Sequence, residues 1–322
     1  MRLKQIIFVV SLLSSIESFA QQSWSSWVAD VRKEALSEGV RPAVFDMAFA
    51  DIHEPSHQVK GLAKSQPEHR ITYQKYLNSR VDGYRISVGR SQYKRNQAIA
   101  DEIAKVYGVD PCFIMSFWGM ETSYGSYMGN FPVIKSLATL GYDSNRQAFF
   151  RKELLLGLHI LNEGHVSMSD FKGEWAGASG QPQFLPSSWV RYAVDYDGDG
   201  RKDIWKSKPD VFASIANYMK MNGWHEHDPW AIFVTLPKNF DPNLQGKSTV
   251  KPVREWSAIG VRTLDGKTLP YPNLDASIVQ PNGGPVFLAY PNYKMILKYN
   301  NSIYYAGAIG YLADKICNRK MD

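Results

Sequence analysis

The sequence predicts an α+β fold that is mainly α, and three observations carry the expectation. Over 23–223 apolar residues recur at intervals of three and four, the period of helices that bury one face. Beyond Trp230 the composition shifts to Pro, Gly, Asn and Asp, with short β-type runs at 231–236 (AIFVTL) and 284–290 (GPVFLAY). Helical spacing then returns over 300–316. The expected organisation is a leader at 1–20, a helical body at 21–230, a small β-rich subdomain at 231–290, and a C-terminal helix within 291–322 that returns to the body.

The leader is read from its charge and side-chain size. Arg2 and Lys4 precede an almost unbroken apolar run at 6–13, and Ser18-Phe19-Ala20 offers small residues where a signal peptidase reads. The run is too short to cross roughly 30 Å of hydrocarbon at 1.5 Å per residue. Later stretches fall short of the roughly 20 apolar residues that a spanning helix requires. A signal peptide is therefore expected, with a periplasmic or secreted mature chain that has no transmembrane segment.

Loss of Arg2, Lys4 and Glu17 with the leader lowers the formal charge from +6 to +5. A mild basic excess without Lys/Arg runs gives no nucleic-acid stripe, and it suits an anionic polymer or simple solubility equally. Aromatic residues make up 13% of the chain, which serves stacking on sugar rings and core filling alike. Two cysteines, Cys112 and Cys317, exclude a disulfide scaffold and a cysteine metal cluster. Cys112 falls in an apolar helix where a free thiol is ordinary packing, so a free thiol is expected and a bridge is the alternative.

Within the helical body, 96–107 (NQAIADEIAKVY) is amphipathic and stops at Gly108. Asp110-Pro111 then opens another helix, with Asp as N-cap and Pro in the first turn where its missing N–H costs nothing. Further helices are expected at 145–162 and 211–222.

The helix opened by Asp110 reads PCFIMSFWGMET, and its spacing puts Ile114, Phe117, Trp118 and Glu121 on one face. A carboxylate thus ends an apolar stripe. Desolvation, the negative end of the helix dipole and the lack of Lys or Arg within four residues all favour its protonated form. A protonated acid near neutral pH is what a glycosidic oxygen needs in order to leave. The alternative is a Glu turned to solvent or capping its own helix end.

The segments FWGMETSYGSYMGNFPVIKSLATLGYD and GEWAGASGQPQFLPSSWVRYAVDYDGDGRKDIW resemble the B-type lytic murein transglycosylases over nearly the whole mature chain. The resemblance implies a lysozyme-like helical core with an additional helical domain and a small β domain. It also implies Glu121 as the single acid/base. Glu121 would protonate the oxygen between N-acetylmuramic acid and N-acetylglucosamine, then take the proton of the muramyl C6 hydroxyl as that group closes on C1 to leave a 1,6-anhydro end. Peptidoglycan glycan strands are the implied partner, and no organic cofactor is expected. Ordinary glycosidases set two carboxylates about 5–9 Å apart, so lysozyme-type hydrolysis is the competing expectation. A non-catalytic peptidoglycan-binding protein is the other.

The resemblance further implies that Gln183, Tyr218, Tyr299, Asn300 and Tyr305 line the glycan cleft, with Tyr76 as a further member. The small, turn-prone run after Trp175 lets backbone approach a ligand, and Trp175 joins the candidate substrate-binding set. Relatives usually carry Ser where this chain has Glu174, which puts a second acid near the cleft. The run 195–203 (DYDGDGRKD) matches the first half of an EF-hand loop, but its twelfth position is Lys206. By resemblance the last ligand comes from the next helix, so Asp195, Asp197, Asp199, the Arg201 carbonyl and Asp210 would hold a structural Ca²⁺.

Overall fold

The computed structural model describes residues 22–64 and 71–319, so the expected signal peptide lies outside the described residues. Helices form most of the described chain, and the strands after Trp230 form one antiparallel sheet, as the α+β expectation requires. Helix ends follow local chemistry. Asn96 precedes Gln97–Tyr107, and Gly108 ends that helix in the left-handed conformation. Asp110 caps Pro111–Thr122 by accepting from the Cys112 N–H at 2.9 Å.

Pro111–Thr122 differs from its expected one-sided stripe. Cys112, Phe113, Ile114, Met115, Ser116, Phe117, Trp118, Gly119 and Thr122 are all buried. This helix runs through the middle of the helical body, packed against Ile303–Ile316, Lys208–Met221, Gly83–Arg95 and Gln97–Tyr107. A helix apolar on every side belongs there. Its Ser116 hydroxyl donates to the Ile309 carbonyl at 2.6 Å and so is satisfied without water.

Cys112 and Cys317 are bridged, with Cα atoms 6.2 Å apart, which corrects the expected free thiol. Cys112 stands in the first turn of the buried helix and Cys317 caps Ile303–Ile316, so two neighbouring helix ends meet there. Spacing of 205 residues hides that meeting from the sequence.

The five-stranded sheet runs Lys251–Pro252, Asp275–Val279, Phe287–Ala289, Ala231–Thr235, Arg262–Thr263. Ala289 pairs with both Ala231 and Ser277, which makes Phe287–Ala289 the central strand. Along the strands the side chains alternate between two cores. Ala231, Phe233, Phe287 and Ala289 join the helical core, and Ile232, Val234, Ile278 and Leu288 join a small one around Trp256. Burial on both faces explains why the strands read as continuous apolar runs. The chain re-enters the body as two helices, Pro291–Tyr299 and Ile303–Ile316, where one was expected.

Candidate active site

Glu121 stands in the last turn of the buried helix, and the chain turns sharply just beyond it. Ser123 and Tyr124 both adopt left-handed φ, +50° and +63°, a conformation that side chains other than Gly rarely take. Three tethers fix this turn. The Tyr124 hydroxyl donates to the Arg85 carbonyl at 2.9 Å, the Arg85 guanidinium donates to the Gly119 carbonyl, and the Thr122 hydroxyl donates to the Gln181 carbonyl at 2.9 Å. Gln181 ties the helix again by accepting from the Trp118 indole at 2.7 Å while donating to the Trp205 carbonyl at 2.9 Å. Its role went unread in the sequence, where Gln181 has only its place in the small-residue loop to mark it.

The carboxylate of Glu121 faces a cleft of about 530 Å³. Gln183, Tyr218, Tyr299 and Asn300 line it together with Glu121, and so do Phe149, Phe184, Arg146 and Glu174. Its aromatic wall is a packed cluster: Tyr299 lies 4.6 Å from both Phe117 and Tyr218, centroid to centroid. Gln183 sits at a left-handed φ of +53° and donates to the Met128 and Gly180 carbonyls at 3.1 and 2.9 Å. Its side-chain oxygen is left without a protein donor.

Tyr305 approaches from Ile303–Ile316, and its hydroxyl donates to Glu121 Oε1. Tyr76 is half-buried beside Arg80, whose guanidinium lies 6.0 Å from the ring centroid. Trp175 lines a neighbouring cavity of about 580 Å³ instead, with Arg146 and Phe150 shared between the two.

Glu121 is half-buried at the cleft. Loss of water pushes its carboxyl up to about 7, against the opposing pulls of the Tyr305 hydrogen bond and the Arg80 charge. No Lys or Arg lies within four residues along the chain, but the charge of Arg80, on the Tyr73–Arg80 helix distant in sequence, acts on Glu121 through space. Burial and the Glu121 charge hold the Tyr305 and Tyr299 hydroxyls well above their ordinary range, so both remain donors.

At the acidic loop, carboxylate oxygens of Asp195, Asp197 and Asp210 lie within 4.8 Å of one another. Asp210 is buried at the start of Lys208–Met221 and accepts from the Tyr196 and Asp203 N–H groups at 2.8 Å each. Asp199 lies outside the three and accepts from the Arg201 N–H at 2.8 Å. Three converging carboxylates are hard oxygen donors of the kind that suits Ca²⁺.

Comparison with known proteins fits this architecture. The transglycosylase SLT domain family matches residues 23–314. Membrane-bound lytic murein transglycosylase B of Escherichia coli (strain K12) is 33% identical over 217 residues, covering 66% of this chain and 58% of that protein's length. Crystal structures of SltB3 from Pseudomonas aeruginosa, one with NAG-NAM-pentapeptide and one with NAG-anhNAM-pentapeptide, superpose with a TM-score of 0.89. They are 43% and 42% identical, covering 92% of this chain and 80% of theirs. The Escherichia coli lytic transglycosylase Slt35 in complex with calcium is 25% identical, with a TM-score of 0.80 over 90% of this chain and 92% of that one. The helical body, the small sheet and the closing helices are those of the lysozyme-like lytic transglycosylases. The chain belongs to the transglycosylase SLT domain family.

Proposed function

We propose that this protein is a peptidoglycan lytic transglycosylase. It cuts the β-1,4 bond between N-acetylmuramic acid and N-acetylglucosamine and leaves a 1,6-anhydromuramyl end, with Glu121 as both acid and base. The carrying observation is a carboxyl held near neutral pKa at the floor of an aromatic cleft, with a tyrosine hydroxyl fixing one of its oxygens. Protonated, Glu121 donates to the glycosidic oxygen; ionised, it accepts the proton of the C6 hydroxyl. Tyr305 steadies the ionised form between the two transfers. Tyr218 and Tyr299 offer faces for the apolar sides of sugar rings, and Gln183 and Asn300 offer donors and acceptors for hydroxyl and N-acetyl groups. Tyr76 extends the cleft on the Arg80 side and Trp175 extends it toward Arg146.

Asp195, Asp197 and Asp210 are the residues that would hold Ca²⁺, with Asp199 and the Arg201 carbonyl completing the set when the loop closes. The ion supplies structure and no chemistry in this reading, because it joins the loop to the Lys208–Met221 helix. Calcium named in the Slt35 structure supports this. Action on peptidoglycan requires export, which the leader at 1–20 would provide. Among the described residues no helix is long and apolar enough to cross a membrane.

The test is mass spectrometry of digested sacculi. Anhydro ends, lighter by one water than hydrolysis products, are the expected major product, and their loss in Glu121→Gln assigns the acid. Reducing muramic acid as the main product would overturn the reading.

A further inference from the structure

The cleft that holds Glu121 also holds Glu174. Glu174 is half-buried, and among the described residues its carboxylate takes part in no ion pair and no side-chain hydrogen bond. Its backbone is fixed: Glu174 N–H donates to the Ala178 carbonyl at 2.8 Å, its own carbonyl accepts from Gly177 at 2.9 Å, and Gly173 bridges Ser179. The two cations in the cleft are engaged elsewhere. Arg146 lies 4.0 Å over the Phe149 ring, and Lys298 donates to the Asn222 carbonyl at 2.7 Å. An ionised carboxylate accepts hydrogen bonds only, so with no protein donor its partner in the cleft is water or a sugar.

Ring closure by the C6 hydroxyl consumes no water, so a carboxylate that holds and orients water beside the reacting sugar works against it. Two carboxylates in one cleft, one bound by a tyrosine hydroxyl and the other without a protein partner among the described residues, is the arrangement in which environment assigns two roles. We propose that Glu174 gives this protein a second outcome for the same cut, hydrolysis, as general base toward a water that competes with the C6 hydroxyl for muramyl C1. This rests on the reading of Glu121 as the acid. In the hydrolytic branch Glu121 gives its proton to the glycosidic oxygen, and the C1–O bond breaks with its electron pair remaining on that oxygen. The water oxygen bonds to C1 and its proton passes to Glu174. Glu174 returns that proton to solvent, Glu121 regains one, and the product is a muramyl unit with a free C1 hydroxyl.

The experiment is digestion of a soluble glycan in H₂¹⁸O, with the ratio of ¹⁸O-labelled reducing ends to anhydro ends read by mass spectrometry. Wild-type protein is expected to give both products. In Glu174→Gln the ratio should fall about tenfold or more, as removal of a general base does. Glu174→Ser, smaller than the native side chain, provides the same reading if the amide perturbs the loop. An unchanged ratio in both variants, or wild-type products with anhydro ends alone, overturns the proposal. Absence of any cleavage by wild type, or full cleavage by Glu121→Gln, strikes the underlying function and not the branch.

Discussion

Replacement of Glu121 by Gln keeps the shape of the side chain and removes its proton, so turnover should fall about 10²–10⁴-fold, measured on a soluble glycan. A variant that retains a tenth of wild-type rate removes Glu121 from the acid role. The same substitution reports on the carboxyl's environment. A Glu raised from 4.5 to about 7 binds its proton more tightly folded than unfolded, so stability falls as pH rises from 4.5 to 7. Glu121→Gln should therefore be more stable than wild type at pH 8, by about 1–3 kcal/mol after allowance for partial exposure, and nearly equal to it at pH 4. Activity follows the same group: it should hold at mildly acidic pH and decline as pH passes about 7. Because Tyr305 donates to Glu121 and pulls its pKa down, Tyr305→Phe should move the alkaline limb to higher pH. A limb that moves down would show that Tyr305 acts otherwise. At this scale the sequence marked Glu121 as a candidate, because its signal is local: an apolar helix that ends in an acid, which the structure places on the cleft. Arg80 and Gln181 were not legible, since each reaches the acid helix from a segment far along the chain.

Elements were legible where their signals are chemical punctuation. Asp110, Pro111 and Gly108 mark helix ends by their own conformational preferences, and each acts as read. Pro291 opens Pro291–Tyr299 at a first-turn position, a second C-terminal helix where the sequence pattern shows a single helical run at 300–316. The acidic loop was legible in its alternating aspartates, and its closing partner Asp210 required the following helix. Asp195 and Asp197 face Asp210 across that junction, so without a cation their charges repel. Calcium should raise the melting temperature, by about 2.7 kcal/mol of stability at a hundredfold excess over Kd, and Asp195→Ala with Asp197→Ala should abolish the shift. If EDTA leaves melting unchanged and stops catalysis instead, the ion belongs to the chemistry and not to the scaffold.

Over the whole molecule, the sheet sits between two cores and the acid helix lies at the centre of the larger one, so the cleft is positioned by contacts that span nearly the full chain. The pairing of Cys112 with Cys317 follows from that closure, as periodicity places each cysteine on its helix but says nothing of which helix ends meet. The bridge joins the start of the helix that bears Glu121 to the end of the helix that bears Tyr305. Between bridge and site, Ser116 donates to Ile309, so the two helices are held in register at three levels. Cross-linking residues 205 apart removes freedom mainly from the unfolded chain, and losses of about 2–5 kcal/mol are typical when such a bridge is deleted. Cys112→Ser with Cys317→Ser should accordingly melt about 4–15 °C lower than the oxidised protein. Register at the site should survive below that temperature, because packing and the Ser116 hydrogen bond remain. The pH profile of the double variant is therefore expected to keep its alkaline limb where wild type has it. Melting within a degree of wild type would deny the bridge a stabilising role; a displaced limb would mean that the bridge itself sets the approach of Tyr305 to Glu121.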